Sequence, residues 1–257
     1  MVKKKKVTTV TTTVTTVTTN EKTQIICILD RSGSMSNIMS DSIGGFNTFL
    51  KQQKELPDEA TLTVALFDDK YELLYDNVDI KKTKDITNKE WFPRGTTALY
   101  DAIGKTINNV KANHIKLGVE APSKVLVCVV TDGHENASKE YNQTDIKKLI
   151  HDCENDDWNF IYLAANQDAF AVGSGFGISF GNTYTYSASS DGVFDMSSTL
   201  NNASVSYRTM NSTDNNFKTA SKSLINKDSG DCVMDVDNGS ITIGDTIGTL
   251  ITTNNKK

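Results

Sequence analysis

Apolar residues recur along this chain in two patterns, and their order predicts the elements it forms. The short unbroken runs QIICIL (24–29) and VLVCVV (125–130) lack the alternation of a half-exposed strand and fit strands buried on both faces of a parallel sheet. FIYLAA (160–165) reads as a further strand. TLTVALF (61–67) and YELLY (71–75) alternate about a turn at Asp68 and Asp69, which predicts an antiparallel hairpin at a sheet edge, and TYTYSA (183–188) alternates like another strand. Between the strands lie stretches of helical spacing. Ile43, Phe46, Phe49 and Leu50 share one face of a helix from about Ser40 to Glu55, with Pro57 just beyond it. Leu99, Ala102, Ile103, Ile107 and Val110 line a helix from Ala98 to about His114, and Ile146, Leu149 and Ile150 mark one from about Asn142 to Cys153. A short glycine-broken helix at 169–177 and a last helix near Val193 to Tyr207 complete the series. Strand and helix in succession predict an α/β layered fold with a mostly parallel sheet.

The flanks differ in kind. Residues 1–22 are a low-complexity arm of Lys, Thr and Val with too little apolar surface to offset the entropy of ordering, so disorder is expected there. Val7, Val10, Val14 and Val17 fall at intervals of three and four, but threonine is a poor helix former, and the high β propensity of the same residues makes an added strand the alternative. Residues 23–212 form the expected domain. Residues 213–257 are a polar extension in which SITIGDTIGTLITT suggests one or two edge strands. DVDNG (235–239) matches a calcium loop only in part, since its glycine comes one position early and no glutamate closes it.

Composition narrows the function. A hydrophobic content of 37% with 23% charged residues is that of a soluble globular protein, and a formal net charge of -5 gives no electrostatic case for nucleic acid or an anionic membrane. Lys3 to Lys6 are followed by VTTVTT rather than the apolar stretch of a secretory signal, and no segment approaches the roughly 20 apolar residues of a membrane span. Cytoplasmic residence is expected. Cys27, Cys128, Cys153 and Cys232 lie far apart, without a CxxC pair, and read as reduced thiols. Cys27 and Cys128 sit in the most apolar runs, where cysteine behaves as a small buried hydrophobe.

The chemistry gathers at strand exits. Ligands of open α/β sheets bind beyond the carboxyl ends of the strands, above all where neighbouring strands send their connections to opposite faces. DRSGSMS leaves the first strand, TDGHEN leaves VLVCVV, and RGTTALYDAI precedes the helix at 98. Together they offer Asp30, Ser32 and Ser34, then Asp132, then Thr96 or Thr97: short oxygen donors that suit a hard divalent cation such as Mg²⁺. In an extended loop, residues two apart project to the same side, so Asp30, Ser32 and Ser34 are expected to converge, with Gly33 permitting the tight path.

These motifs resemble those of the von Willebrand factor type A family and its metal-ion-dependent adhesion site. The matches are D30-R-S32-G-S34, the threonine of G95-T-T97-A-L and the aspartate of T131-D132-G. The resemblance covers about residues 23–212. It implies a doubly wound, mostly parallel central sheet with the antiparallel hairpin at one edge, and Mg²⁺ or Mn²⁺ at its top. Asp30, Ser32, Ser34, Thr97 and Asp132 are the implied ligands, some through water. Thr97 is preferred because it precedes Ala98 as the family's threonine precedes its own; Thr96 replaces a glycine common there. Two carboxylates and three neutral hydroxyls leave such an ion electrophilic, and in the family an acidic side chain of a partner protein completes its coordination. The expectation is a metal-dependent protein-binding module, not an enzyme.

Two other classes compete. A structural component could use the fold as a docking platform in a larger assembly, with metal serving stability alone. A hydrolase would need a nucleophile and a base, and only His114, His134 and His151 are present, without a GxSxG elbow. Haloacid-dehalogenase-like phosphatases need a second aspartate where Ser32 stands. His134 reads as a loop residue beside the metal site. GSGFG (173–177) lacks the GK[ST] ending of a phosphate loop and reads as a helix break. Asp68, Asp69 and Asp76 read as solvated turn charges, and Trp91, Phe92 and Pro93 as packing.

Overall fold

The computed structural model describes residues 22–165 and 168–210, together with the backbone of two short strands, Val233–Asp235 and Ser240–Thr242. The centre of its main sheet is a pair of parallel strands, β1 (Thr23–Asp30) and β4 (Lys124–Thr131), in which every residue is buried. β2 (Ala60–Phe67) lies outside β1, and β3 (Tyr71–Asp79) turns back antiparallel at that edge. β5 (Trp158–Ala165) and β6 (Thr183–Tyr186) extend the other side in parallel, giving the order β3-β2-β1-β4-β5-β6. The expected edge hairpin is present, and the sheet is mixed but mostly parallel.

The unbroken apolar runs are explained by two helical layers. Ile25, Cys27 and Leu29 of β1, with Leu126, Cys128 and Val130 of β4, face a core built with Phe46, Phe49 and Leu50 of α1 (Met39–Glu55) and Val193, Met196 and Leu200 of α5 (Ser190–Thr209). The alternate residues, Ile26 and Ile28 with Val125, Val127 and Val129, face Ala102, Ile103 and Ile107 of α2 (Leu99–Leu117) and Ile146 and Ile150 of α3 (Gln143–Asn155). Each central strand therefore has no polar face to show, and hydrophobic burial on both sides drives the sandwich.

The helix boundaries follow local chemistry. Asn142 accepts from the amides of Thr144 and Asp145 while Asp145 bonds back to the Asn142 amide, a capping box that starts α3. α4 (Ala169–Gly175) ends at the glycine-rich stretch, where Gly177 takes φ +92°, so GSGFG does break a helix. Cys27, Cys128 and Cys153 are buried free thiols, as expected; Cys232 lies outside the described residues. β7 (Val233–Asp235) and β8 (Ser240–Thr242) pair with each other in a separate antiparallel ladder. The remainder of the 213–257 extension, including most of DVDNG, and the arm at 1–21 also lie outside the described residues. Among the described residues, no helix is long and apolar enough to cross a membrane.

One topological fact places the site. β1 continues into α1 on one face, while β4 continues into α3 on the other, so their carboxyl ends flank the point where the connections diverge. Asp30 ends β1, and Asp132 follows β4.

Candidate metal centre

Asp30 is the floor of the site. It is fully buried, its Oδ1 accepts the Ser32 amide at 2.6 Å, and its Oδ2 accepts the Thr131 hydroxyl at 2.5 Å. Burial pushes its carboxyl up to about 6, against the pull of those hydrogen bonds, and the nearby Asp132 charge raises it further. From above, the Trp91 indole donates to the Asp30 carbonyl at 2.9 Å. Trp91 is thus a packing residue, as expected, and also a brace for the end of β1.

The path beyond Asp30 differs from the extended loop expected from the sequence. By capturing the Ser32 amide, the Asp30 side chain turns the chain at once, and Gly33–Asn37 winds as a 3₁₀ turn. Convergence is nevertheless achieved, because the turn brings the Ser34 hydroxyl within 3.0 Å of the Ser32 hydroxyl. The Ser34 hydroxyl also donates to Oδ1 of Asp132 at 2.6 Å, joining the exits of β1 and β4.

The threonine loop supplies the third side. Thr97 is buried and Thr96 exposed, and a methyl group built on Gly133 would lie 2.9 Å from the Thr97 hydroxyl, 3.3 Å from that of Ser34 and 3.6 Å from that of Ser32. Three hydroxyls thus surround one small space over Gly133, with Asp132 beside it. Ser34 is exposed and Asp132 partly so, which leaves the space open on its outer side. Burial also raises the Asp132 carboxyl, against the Ser34 hydrogen bond.

This donor set fits a hard cation. Neighbouring oxygens of an octahedral Mg²⁺ site with bonds of about 2.1 Å lie about 3 Å apart; the Ser32 and Ser34 hydroxyls are 3.0 Å apart, and Ser34 and Asp132 Oδ1, now hydrogen-bonded, 2.6 Å. Two carboxylates held partly or wholly out of water gain from a nearby positive charge. Among the described residues no three His, Cys, Asp or Glu side chains cluster; the donors gathered here are two carboxylates and three hydroxyls, all oxygen.

A second tier of residues fixes the threonine loop, and sequence reasoning did not single it out. Asn136 accepts the Thr97 amide at 2.9 Å and donates its own amide to the Thr97 carbonyl at 3.0 Å. Glu135 accepts the amides of Tyr100, Ala137 and Ser138, and Asp101 accepts those of Lys139, Glu140 and Tyr141. Glu135 and Asn136 of the loop TDGHENAS thus hold Tyr100 and Thr97 near the start of α2, while Asp101 of α2 in turn holds the loop that leads to α3. His134 is an exposed loop residue, as expected.

Two expectations need correction. Asp68 is not a solvated turn charge: it is fully buried and paired with Arg31 and Arg94. Asp69 and Asp76 are exposed, although Asp76 accepts from Asn109 and Asn113. Phe92, grouped with Trp91 as packing, is 38% exposed at the rim, with the Arg94 guanidinium 5.2 Å from its ring centre.

No family sequence model matches the chain, and no curated protein matches it. Solved structures do. A point mutant of the PilB minor pilin from Streptococcus sanguinis superposes with TM-score 0.52 at 10% identity, covering 73% of this chain and 62% of that one. The vWF domain of the type V pili tip protein Mfa5 from Porphyromonas gingivalis gives 0.49 at 9% identity, over 76% of this chain and 99% of that one. Proximal thread matrix protein 1 from the mussel byssus, with a zinc-occupied MIDAS motif, gives 0.46 at 16% identity, over 66% and 42%. The chain spans about three-fifths of the pilin and less than half of the mussel protein. With its strand order and antiparallel edge, the chain has the von Willebrand factor type A fold.

Proposed function

We propose that this chain is a divalent-cation-dependent protein-binding module. Asp30, Ser32, Ser34, Thr97 and Asp132 hold Mg²⁺, or Mn²⁺ in its place, with some of them acting through water. When bound, the ion supplies an electrophilic position that an acidic side chain of a partner protein fills. The chain's own residues do the rest: Asp30 and Thr131 close the inner side, the three hydroxyls set the outer oxygens, and Asn136 holds Thr97 in place. The observation that carries this reading is the meeting of Ser32, Ser34 and Thr97 hydroxyls and the Asp132 carboxylate from three separate loops around Gly133.

Binding rather than catalysis is the reading the site supports. Among the described residues no histidine is hydrogen-bonded to Ser34, so a Ser-His pair is not formed there; its hydroxyl is held by Ser32 and Asp132, both of them candidate ligands in this reading. Residues 23–212 form the binding domain in this reading, with 1–22 and 213–257 as appendages, and a cytoplasmic location belongs to the same reading, supported by the free buried thiols Cys27, Cys128 and Cys153. The test is titration of the purified chain with MgCl₂ by calorimetry, followed by partner binding in Mg²⁺ and in excess EDTA. Saturable 1:1 binding, lost in a folded Asp132→Ala variant, is expected. Partner affinity undiminished by EDTA would leave a docking platform for assembly, with metal acting on stability alone.

A further inference from the structure

Asp68 lies outside the five candidate ligands, yet two segments of the site are held by it. It follows β2, whose last residue Phe67 stands in register with Asp30, so position 68 falls beside Arg31. Both side chains are fully buried. The Asp68 carboxylate faces Arg31 Nε at 3.4 Å and accepts from Arg94 Nε and from the Lys70 amide, the last at 2.6 Å. Its carbonyl accepts the Ala98 amide at 2.9 Å, immediately after Thr97. The Arg31 carbonyl in turn accepts the Arg94 amide at 2.8 Å, and the Gly95 carbonyl accepts the Gly33 amide at 3.2 Å.

The charges make this knot more than a set of turns. Arg31 stands between two candidate ligands, Asp30 and Ser32, and is out of water; its Nη1 donates to Glu72 at 2.8 Å, and its Nη2 has no hydrogen-bond partner among the described residues. A buried guanidinium keeps its place only beside compensating carboxylates, and Asp68 is the one of these that is itself buried. Arg94 brings the threonine loop to the same carboxylate. The Ser32 and Thr97 hydroxyls are therefore carried on two segments pinned to one anion.

We propose that Asp68 is a positioning residue of the metal centre, holding the Asp30–Ser34 and Arg94–Thr97 segments at the separation the cation requires. This rests on the cation reading above. Residues that orient ligands from behind typically change metal affinity 10–100-fold when replaced, so Asp68→Asn, close in shape but uncharged, should weaken Mg²⁺ binding about tenfold or more. Coupling is reciprocal: Mg²⁺ should also slow hydrogen exchange at the Ala98 amide, next to Thr97, and at the Lys70 amide, which bonds to the Asp68 carboxylate and adjoins no candidate ligand in sequence.

The experiment is Mg²⁺ calorimetry on the wild-type chain and Asp68→Asn, with thermal midpoints of both metal-free proteins, and hydrogen exchange on the wild type with and without Mg²⁺. A tenfold or greater loss of affinity supports the proposal. Equal affinities overturn it, even with a lowered thermal midpoint, since a purely structural role predicts that result. Should Asp68→Asn not fold, the wild-type exchange decides: slowed amides support positioning and unchanged amides contradict it. A wild type that binds no Mg²⁺ overturns the cation reading itself, and this inference with it.

Discussion

The hydroxyl of Ser34 donates to Oδ1 of Asp132 at 2.6 Å, across 98 positions of sequence, and so ties the exit of β1 to the exit of β4. With the Thr131 hydroxyl on Asp30 Oδ2, this bond is one of two direct side-chain links between the motifs among the described residues, and the one on the open side. With the proposed cation bound, both oxygens would be available to hold it. Ser34→Ala should lower Mg²⁺ affinity by at least the roughly tenfold typical of an outer partner, while the exposed position keeps the stability change near 0.5 kcal/mol. Calorimetry with matched urea unfolding checks both halves.

Gly133→Ala tests the small space directly. Gly133 does not take a positive φ, so alanine fits its backbone, but the added methyl would enter the gap among the hydroxyls of Thr97, Ser34 and Ser32. The expected outcome is a folded protein whose thermal midpoint no longer rises with Mg²⁺. An unchanged response would show that the cation sits elsewhere.

Asp101 serves the loop between β4 and α3. It is buried and accepts three successive amides, Lys139, Glu140 and Tyr141, at 2.9–3.1 Å. Hydrogen bonds to a charged acceptor contribute about 1.5–3 kcal/mol each at most and are not additive, so Asp101→Ala should destabilise the fold by about 2–3 kcal/mol. Urea unfolding measures it.

His114 sets part of the pH dependence. Its Nε2 lies 2.6 Å from Gln24 Oε1 and its ring 5.6 Å from Trp158, and burial lowers its pKa below the ordinary value. The unfolded chain then takes up the proton at a higher pH than the folded one, so stability is lost as pH falls through about 6.5 and below. Thermal midpoints from pH 8 to 5 should fall less steeply for His114→Gln than for the wild type.

The order of elements was legible because each depended on neighbours in sequence: apolar runs for β1 and β4, one-sided spacing for α1 and α2. The five candidate oxygens were legible for the same reason, since each sits within a few residues of a strand or helix end. What escaped reading depends on register. Asp68 looks like a turn residue until β1 and β2 align Asp30 with Phe67 and set it beside Arg31. A carboxylate at a strand's carboxyl end was the available signal, hidden by the polar turn around it. The turn at Gly33 escaped because the Asp30 side chain, not the backbone preference of Ser32, bends the chain. Asn136 and Glu135 act on residues more than thirty positions away, where no spacing rule reaches.

The central claim concerns where a cation sits, and diffraction from crystals grown in Mn²⁺ tests it most directly. The account predicts one anomalous peak over Gly133, within coordination distance of the Ser32, Ser34 and Thr97 hydroxyls, with the Asp30 and Asp132 carboxylates bound directly or through water. The same side chains gathered around Gly133 with no peak between them, in a crystal bathed in Mn²⁺, would contradict it.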